Sequence, residues 1–184
     1  MTLKKIGRVQ HNGKSLQAIL QAHEGYWKGA QQGARADLTG ADLSSVDLRG
    51  LNLAGALLRN ANLEGSDLRG ARLPGVDATG ARFYEADLRN TDLTEAVLRG
   101  ANFSKAQASG VEFFRCDLTN VNFAEAQLRN ANFRDAHVEG ANFKGADLAT
   151  AILRETDLSR ADLSGVDLST TLLPPGYPAK KERS

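Results

Sequence analysis

From Ala36 to Thr170 a large apolar residue returns at every fifth position, a small residue precedes it by two, and polar residues fill the other places. Taking Leu38 as the centre of a unit Ala36-Asp37-Leu38-Thr39-Gly40, steps of five carry the register through 27 units without insertion. The centres are 18 Leu, six Phe (Phe83, Phe103, Phe113, Phe123, Phe133, Phe143), two Ala and one Val, and 17 of the 27 small positions are Ala. So strict a period marks a repeat architecture and outranks local propensity. On an α-helix a step of five turns the side chain by about 140°, which spreads the leucines around the cylinder. On a continuous strand an odd period throws alternate leucines onto opposite faces. The pattern therefore predicts short extended segments that place two residues inward and then turn a corner.

The last position of each unit supplies the corner. It is Gly in 12 units and Asn in four (Asn60, Asn90, Asn120, Asn130), residues that tolerate the positive φ of a type II turn. The other 11, among them Glu85, Lys105, Arg115 and Glu125, are expected to resist that conformation and to use a second turn type. The phenylalanines indicate how many corners close a coil. Phe83, Phe103, Phe123 and Phe143 are spaced by 20, and Phe113 and Phe133 fall 20 apart in a second column. A coil of three units breaks these columns, and a coil of two leaves no room inside for Leu and Phe. Four sides, with one unit to each side of the coil, are expected.

An amphipathic segment precedes the repeat. Leu16, Ile19, Leu20, His23 and Trp27 follow helical spacing over about residues 15–31, with Gly33 near the stop, which predicts a helix (15–33) lying as a lid on the first coil. Residues 1–14 form a basic N-terminal segment. Beyond residue 170, Leu172 and Leu173 are expected to cover the last coil before Pro174-Pro175 stops strand pairing, and the tail from Gly176 to Ser184 to be loose.

The run A-[D/N]-[L/F]-x-x, as in Ala61-Asn62-Leu63-Glu64-Gly65 and Ala141-Asn142-Phe143-Lys144-Gly145, resembles the pentapeptide-repeat family over residues 36–170. The resemblance implies an all-β fold, a right-handed four-sided β-helix (solenoid), here of about seven coils and about 30 Å at the usual strand spacing. Each buried Leu or Phe contributes on the order of 1.5–3 kcal/mol before conformational entropy is subtracted.

Composition adds a division of charge. Residues 36–170 carry 14 Lys/Arg against 20 Asp/Glu, a net of −6, while the flanks carry nine against two, a net of +7. Sorted by 20, the four faces come to −2, −2, −1 and −1, so the negative charge is spread. Cys116 is the only cysteine and falls at a small inward position, which predicts a packed core thiol and excludes an intrachain disulfide. His11, His23 and His137 lie far apart in the pattern, and the glycines are corners rather than a phosphate loop. No catalytic group, metal site or cofactor is expected. The basic N-terminus lacks the apolar stretch of an export signal, and no segment reads as membrane-spanning, so a cytoplasmic protein is expected.

Function must then lie on the outer surface. Asp47, Asp67 and Asp87 beside Arg49, Arg69 and Arg89 predict a charge ladder, and Asn102, Asn122 and Asn142 a hydrogen-bonding ladder. Leu57 and Val97 take the outward place usually held by Asp or Asn, and Tyr84, Phe114 and Ile152 also point outward. Phe114 with Arg115 and Arg134 is the leading hot-spot candidate. The primary expectation is an interaction module or scaffold with an unknown protein partner. The resemblance offers an alternative: its quinolone-resistance members resemble duplex DNA and bind DNA gyrase or topoisomerase IV, which implies an acidic surface. Those members also use loops inserted between coils, which are missing here, and the Pro-rich stretch after the repeat is not expected to form a helical dimerisation segment. Direct nucleic-acid binding through Lys4-Lys5 and Lys180-Lys181 is not expected, since nothing aromatic is interleaved with the basic residues.

Overall fold

The computed structural model describes residues 3–177. Within it the outward residue of each unit forms a parallel bridge with its counterpart four units on: Asp37 with Leu57, Leu57 with Asp77, and so through Asn132 with Ile152. Closure after four units selects four sides. Leu38 N–H donates to the Leu57 carbonyl at 2.8 Å, Gly40 N–H to the Arg59 carbonyl at 2.8 Å, and Leu57 N–H returns to the Ala36 carbonyl at 2.9 Å. Coils are thus stitched to one another on all four faces up to the last coil. The first to fourth faces begin with the units at Ala36, Ala41, Val46 and Leu51.

Two residues per unit point inward, and they make one continuous core from Leu38 to Leu158. Its middle is aromatic. Phe83, Phe103, Phe123 and Phe143 stack on the second face with centroid separations of 4.4, 5.2 and 5.1 Å, and Phe113 and Phe133 stack opposite them at 4.9 Å. The two columns meet edge to face across the coil, as Phe113 does with Phe123 at 5.4 Å. Both arrangements suit the ring quadrupole. Polar residues at the small inward position donate to carbonyls, Thr91 to Leu68, Cys116 to Leu93, Thr156 to Phe133 and Thr171 to Leu148, each 23 positions back, and Ser66 to Leu63, three back. The core stays hydrogen-bonded while varying its sequence.

The corners correct one expectation. In nine of the 11 units that end in neither Gly nor Asn, the corner residue still takes the left-handed conformation, with φ between 55° and 61°. Glu85, Lys105, Arg115 and Glu125 are among them. The turn is closed by a bond such as Ala41 N–H to the Leu38 carbonyl, 3.0 Å, and the same bond recurs at Ala86, Ala106 and Ala126. Left-handed backbone costs about 1–2 kcal/mol for a residue with a Cβ, and the inward pair of each unit offsets it, so tertiary packing overrides local preference. Only Arg160 and Thr170, in the last coil, do not take it.

Glycine is required for a further reason at three corners. A Cβ on Gly140 would lie 2.2 Å from Asn120 Oδ1, and Gly80 and Gly110 meet Asn60 and Asn90 in the same way, whereas one on Gly70 meets nothing within 4 Å. Gly70→Ala should cost about 1–2 kcal/mol from φ alone, and Gly140→Ala more than that. In thermal melts, adding Asn120→Gly should return the Gly140→Ala loss to the Gly70→Ala level. Equal losses at the two glycines would show that the contact carries no cost.

The N-terminal end is closed by several contacts. After a 3-10 turn at Ile6–Arg8, β1 (Gln10–His11) and β2 (Lys14–Ser15) pair as a hairpin through Asn12-Gly13, both at positive φ. α1 (Leu16–Trp27) follows, with Ser15 Oγ accepting from Ala18 N–H. The helix is stopped by Gly29 rather than near Gly33: Gly29 has φ 69°, and Ala30 N–H donates to the Gly25 carbonyl at 2.9 Å. Gly33 instead allows close approach, since its Cβ would lie 2.3 Å from Tyr26 N. Leu16 and His23 are buried, Ile19 and Leu20 pack partly, and Trp27, expected on the buried stripe, is 56% exposed. Lys4 bridges Val46 on the first coil and extends the ladder by one short strand.

The other end differs from expectation. Leu172 bridges Ile152, and Leu173 packs against the core, so both continue the fourth face instead of folding over it. In this last coil Asp162 and Leu172 keep register, while no bridge joins Asp157 or Asp167 to the preceding coil among the described residues. The basic run Lys180-Lys181-Glu182-Arg183 and most of the expected loose tail lie outside the described residues.

Candidate functional site

The Asp or Asn of each unit has a structural task. Its side-chain oxygen accepts the N–H two residues on, as Asp37 does from Thr39 at 3.0 Å and Asn102 from Ser104 at 3.0 Å, and this satisfies a corner donor that the ladder leaves over. Proline stands at the donor position in two units whose outward residue cannot accept, Arg72/Pro74 and Leu172/Pro174. The repeat motif is therefore no ligand signature.

The expected ladders form. Arg49 bonds Asp47 at 2.7 Å and approaches Asp67 at 3.7 Å, and Arg69 bonds Asp67 at 2.7 Å and approaches Asp87 at 3.5 Å. Hydrogen bonding from Arg49 holds the Asp47 carboxyl down at about 2. Asn142 donates to Asn122 at 3.0 Å and Asn122 to Asn102 at 3.3 Å. On the first face Leu57 and Val97 alternate with Asp37, Asp77 and Asp117. They keep stacked carboxylates two coils apart, while Arg59 and Arg99 reach Asp77 and Asp117.

The seven candidate surface residues thus fall on three faces. Leu57 and Val97 belong to the first. Tyr84 lies on the second under Lys105, whose ammonium sits 5.7 Å from the ring centroid. Phe114, Arg115, Arg134 and Ile152 come together on the fourth. Phe114 and Ile152 are half-buried and Arg134 is exposed. The Arg115 guanidinium stands 4.8 Å from the Phe114 ring centroid and lies 3.7 Å from Glu95 and 3.9 Å from Asp135.

Two features escaped the sequence reading. Arg154 follows Arg134 in the same column, and neither has a carboxylate within 4.0 Å among the described residues. At the head of that column Trp27 donates its indole N–H to the Ala54 carbonyl at 3.1 Å. Sorting the residue after each centre by coil reveals the first; the second needs the docked helix.

Chemistry-bearing groups lie apart. Cys116 is fully buried, and burial pushes its thiol up to about 12, so it is no nucleophile. His23 is buried under the cap, and His137 lines an open groove at the corner of the fourth and first faces with Asp117, Asp135 and Arg160. Among the described residues no three His, Cys, Asp or Glu side chains are grouped to hold a metal ion, and no helix is long and apolar enough to cross a membrane.

Comparison with known proteins agrees with the geometry. Full-length QnrB1, a plasmid-mediated fluoroquinolone resistance protein, superposes with a TM-score of 0.71 at 22% identity, over 77% of this chain and 74% of that one. A trypsin-treated variant of it gives a TM-score of 0.71 at 23% identity, over 76% and 70%. A pentapeptide-repeat protein of the Arabidopsis thaliana thylakoid lumen is 36% identical over 61% of this chain and 68% of its own, with a TM-score of 0.33. No curated protein matches. The family model for pentapeptide repeats matches in eight copies, covering residues 36–75 and, in overlapping segments, 79–169. With a ladder that closes at every fourth unit and a motif match over most of its length, this chain belongs to the pentapeptide-repeat family.

Proposed function

We propose that the chain is a non-enzymatic, cytoplasmic interaction rod that binds a protein partner through its fourth face. One observation carries this reading. On the first three faces every arginine is within 4.0 Å of a carboxylate, whereas the fourth holds Arg72, Arg134 and Arg154 without one among the described residues, the last two in the column of half-buried Phe114 and on the face of half-buried Ile152. An aromatic anchor beside an arginine that is free to pair is the composition of an interface hot spot.

The protein, immobilised, should capture one or more proteins from a lysate of its source cells. Phe114→Glu should abolish that capture, with an unchanged circular dichroism melt, while Lys144→Glu on the second face should keep it. Equal capture by all three would overturn the assignment to this face. The DNA-mimic alternative draws only on the fold shared with QnrB1, and here the charge is spread over four faces and largely paired. Supercoiling by purified DNA gyrase is therefore expected to be unaffected by micromolar protein; inhibition would replace the fourth-face reading with the mimic.

A further inference from the structure

We infer that the fourth face is a track for an extended peptide segment that is apolar at the end near the helical cap and acidic at the other. The inference rests on the interaction-rod reading and names the chemistry of its partner.

The residue that follows each centre stands outward at a corner. Down the first and third faces this column reads Thr39, Arg59, Thr79, Arg99 and Arg49, Arg69, Arg89, with each arginine tied into a ladder. Down the fourth face it reads Ala54, Pro74, Thr94, Phe114, Arg134, Arg154. Its upper half has no charge, and its lower half has two cations without a carboxylate within 4.0 Å among the described residues.

The cap extends the apolar half. Trp27 and Tyr26, 56% and 48% exposed, contact each other edge to face at 5.6 Å, and the bond from Trp27 to the Ala54 carbonyl fixes the indole at the head of the column. These two rings and Leu172 are the only strongly exposed large apolar side chains among the described residues. Two aromatic groups at one end of a column whose lower half ends in Phe114 and two free guanidinium groups are not what solvation alone requires.

Spacing and charge select the occupant. From the level of Ala54 to Arg154 is five coils, about 24 Å, which an extended segment of about seven or eight residues spans. Arg134 and Arg154 stack one coil apart, and a carboxylate from the segment would relieve their mutual repulsion and gain charge-assisted hydrogen bonds. A nucleic acid is disfavoured because Glu112 lies on one side of the column and Asp135 and Glu155 on the other, and a polyanion would meet all three. A single peptide strand, charged at one end, is narrow enough to avoid them.

The test is selection from a phage-displayed library of random ten-residue peptides on the intact protein, followed by fluorescence anisotropy of the enriched peptides as synthetic probes. Enriched peptides should carry aromatic or aliphatic residues toward one end and Asp or Glu toward the other. Their affinity should fall at least tenfold with the double variant Arg134→Gln/Arg154→Gln and with Trp27→Ala, should weaken with salt, and should be unchanged by Lys144→Glu. Enriched peptides that are basic or uncharged but still depend on Phe114 would overturn this inference and leave the interaction rod standing. Peptides that depend on no fourth-face residue, or no enrichment, would overturn the track, and the lysate capture would then decide the interaction reading separately. Binding of duplex DNA with the same dependence on the arginine pair would assign the face to nucleic acid and overturn the inference.

Discussion

Phe123→Ala is expected to lower the free energy of unfolding by about 3–5 kcal/mol, the usual cost of removing a buried ring and leaving a cavity. Phe123 is fully buried and has more ring neighbours than any other residue: Phe103 at 5.2 Å and Phe143 at 5.1 Å stack on it, and Phe113 at 5.4 Å and Phe133 at 5.7 Å meet its edge or face. The hydrogen-bonded ladder on both sides fixes the coil spacing, so the neighbours cannot collapse into the hole. Because a solenoid is held by contacts between adjacent coils, the loss falls on the joint between the two halves of the rod. Urea titration followed by circular dichroism should show a lower midpoint for Phe123→Ala than for Ala126→Gly, which removes only a methyl group. A loss under about 1 kcal/mol would mean that the stacked column adds little beyond apolar filling.

The second large effect concerns the cap. Leu16→Asp places a carboxylate where the native side chain is fully buried against the first coil, a desolvation cost of several kcal/mol that unseating the helix would relieve. Unseating uncovers Leu38, Leu43, Val46 and Leu48 together with the free edge of the first coil. Size-exclusion chromatography with light scattering should show concentration-dependent association for Leu16→Asp and an unchanged mass for Gln21→Asp on the exposed side of the helix. A variant that keeps the wild-type mass at all concentrations would show that α1 is dispensable as a lid.

Acid should loosen the same cap. His23 Nδ1 accepts the Ala36 N–H at 3.1 Å, so the ring is neutral there, and its buried Nε2 has no hydrogen-bond partner among the described residues. Burial, helped by Arg35, lowers its pKa below the ordinary 6.5. The unfolded state then binds the proton more readily. Stability from this group is complete above pH 6.5 and is lost as pH falls from there toward the lowered folded value. His23→Gln should flatten that part of the stability profile.

Much of the site's background was legible and its focus was not. Cys116 could be placed in the core, and the Asp47–Arg49 and Asn102–Asn122 ladders predicted, because in a solenoid a residue's place in the period gives both its direction and its neighbours one coil away. Leu57, Val97 and Tyr84 could be placed outward by the same rule, but the period does not say what a neighbouring long side chain will do. Whether Arg99 reaches Asp117 while Arg134 reaches no acid among the described residues depends on rotamers across a corner. Trp27 was misplaced for a different reason. Helical spacing put it on the apolar stripe, yet only Leu16 and His23 are buried, and the indole, on the last residue of the helix, bonds the Ala54 carbonyl at the rim and stays 56% exposed.

By itself, the sequence determined the coil: a five-residue period with two inward positions admits neither helix nor straight strand, and the phenylalanine columns choose four units per turn. Tertiary structure alone decided the corners, the ends and the free surface. Stacked coils hold Glu85, Lys105 and Arg115 left-handed against their own preference, because their inward neighbours gain more from packing than the corner loses. The cap brings Trp27 to Ala54, 27 positions away, and carboxylates pair the arginines of three faces while Arg72, Arg134 and Arg154 of the fourth have none within 4.0 Å among the described residues. Direction follows from periodicity, but the balance of strain, burial and charge pairing is settled only when distant units touch.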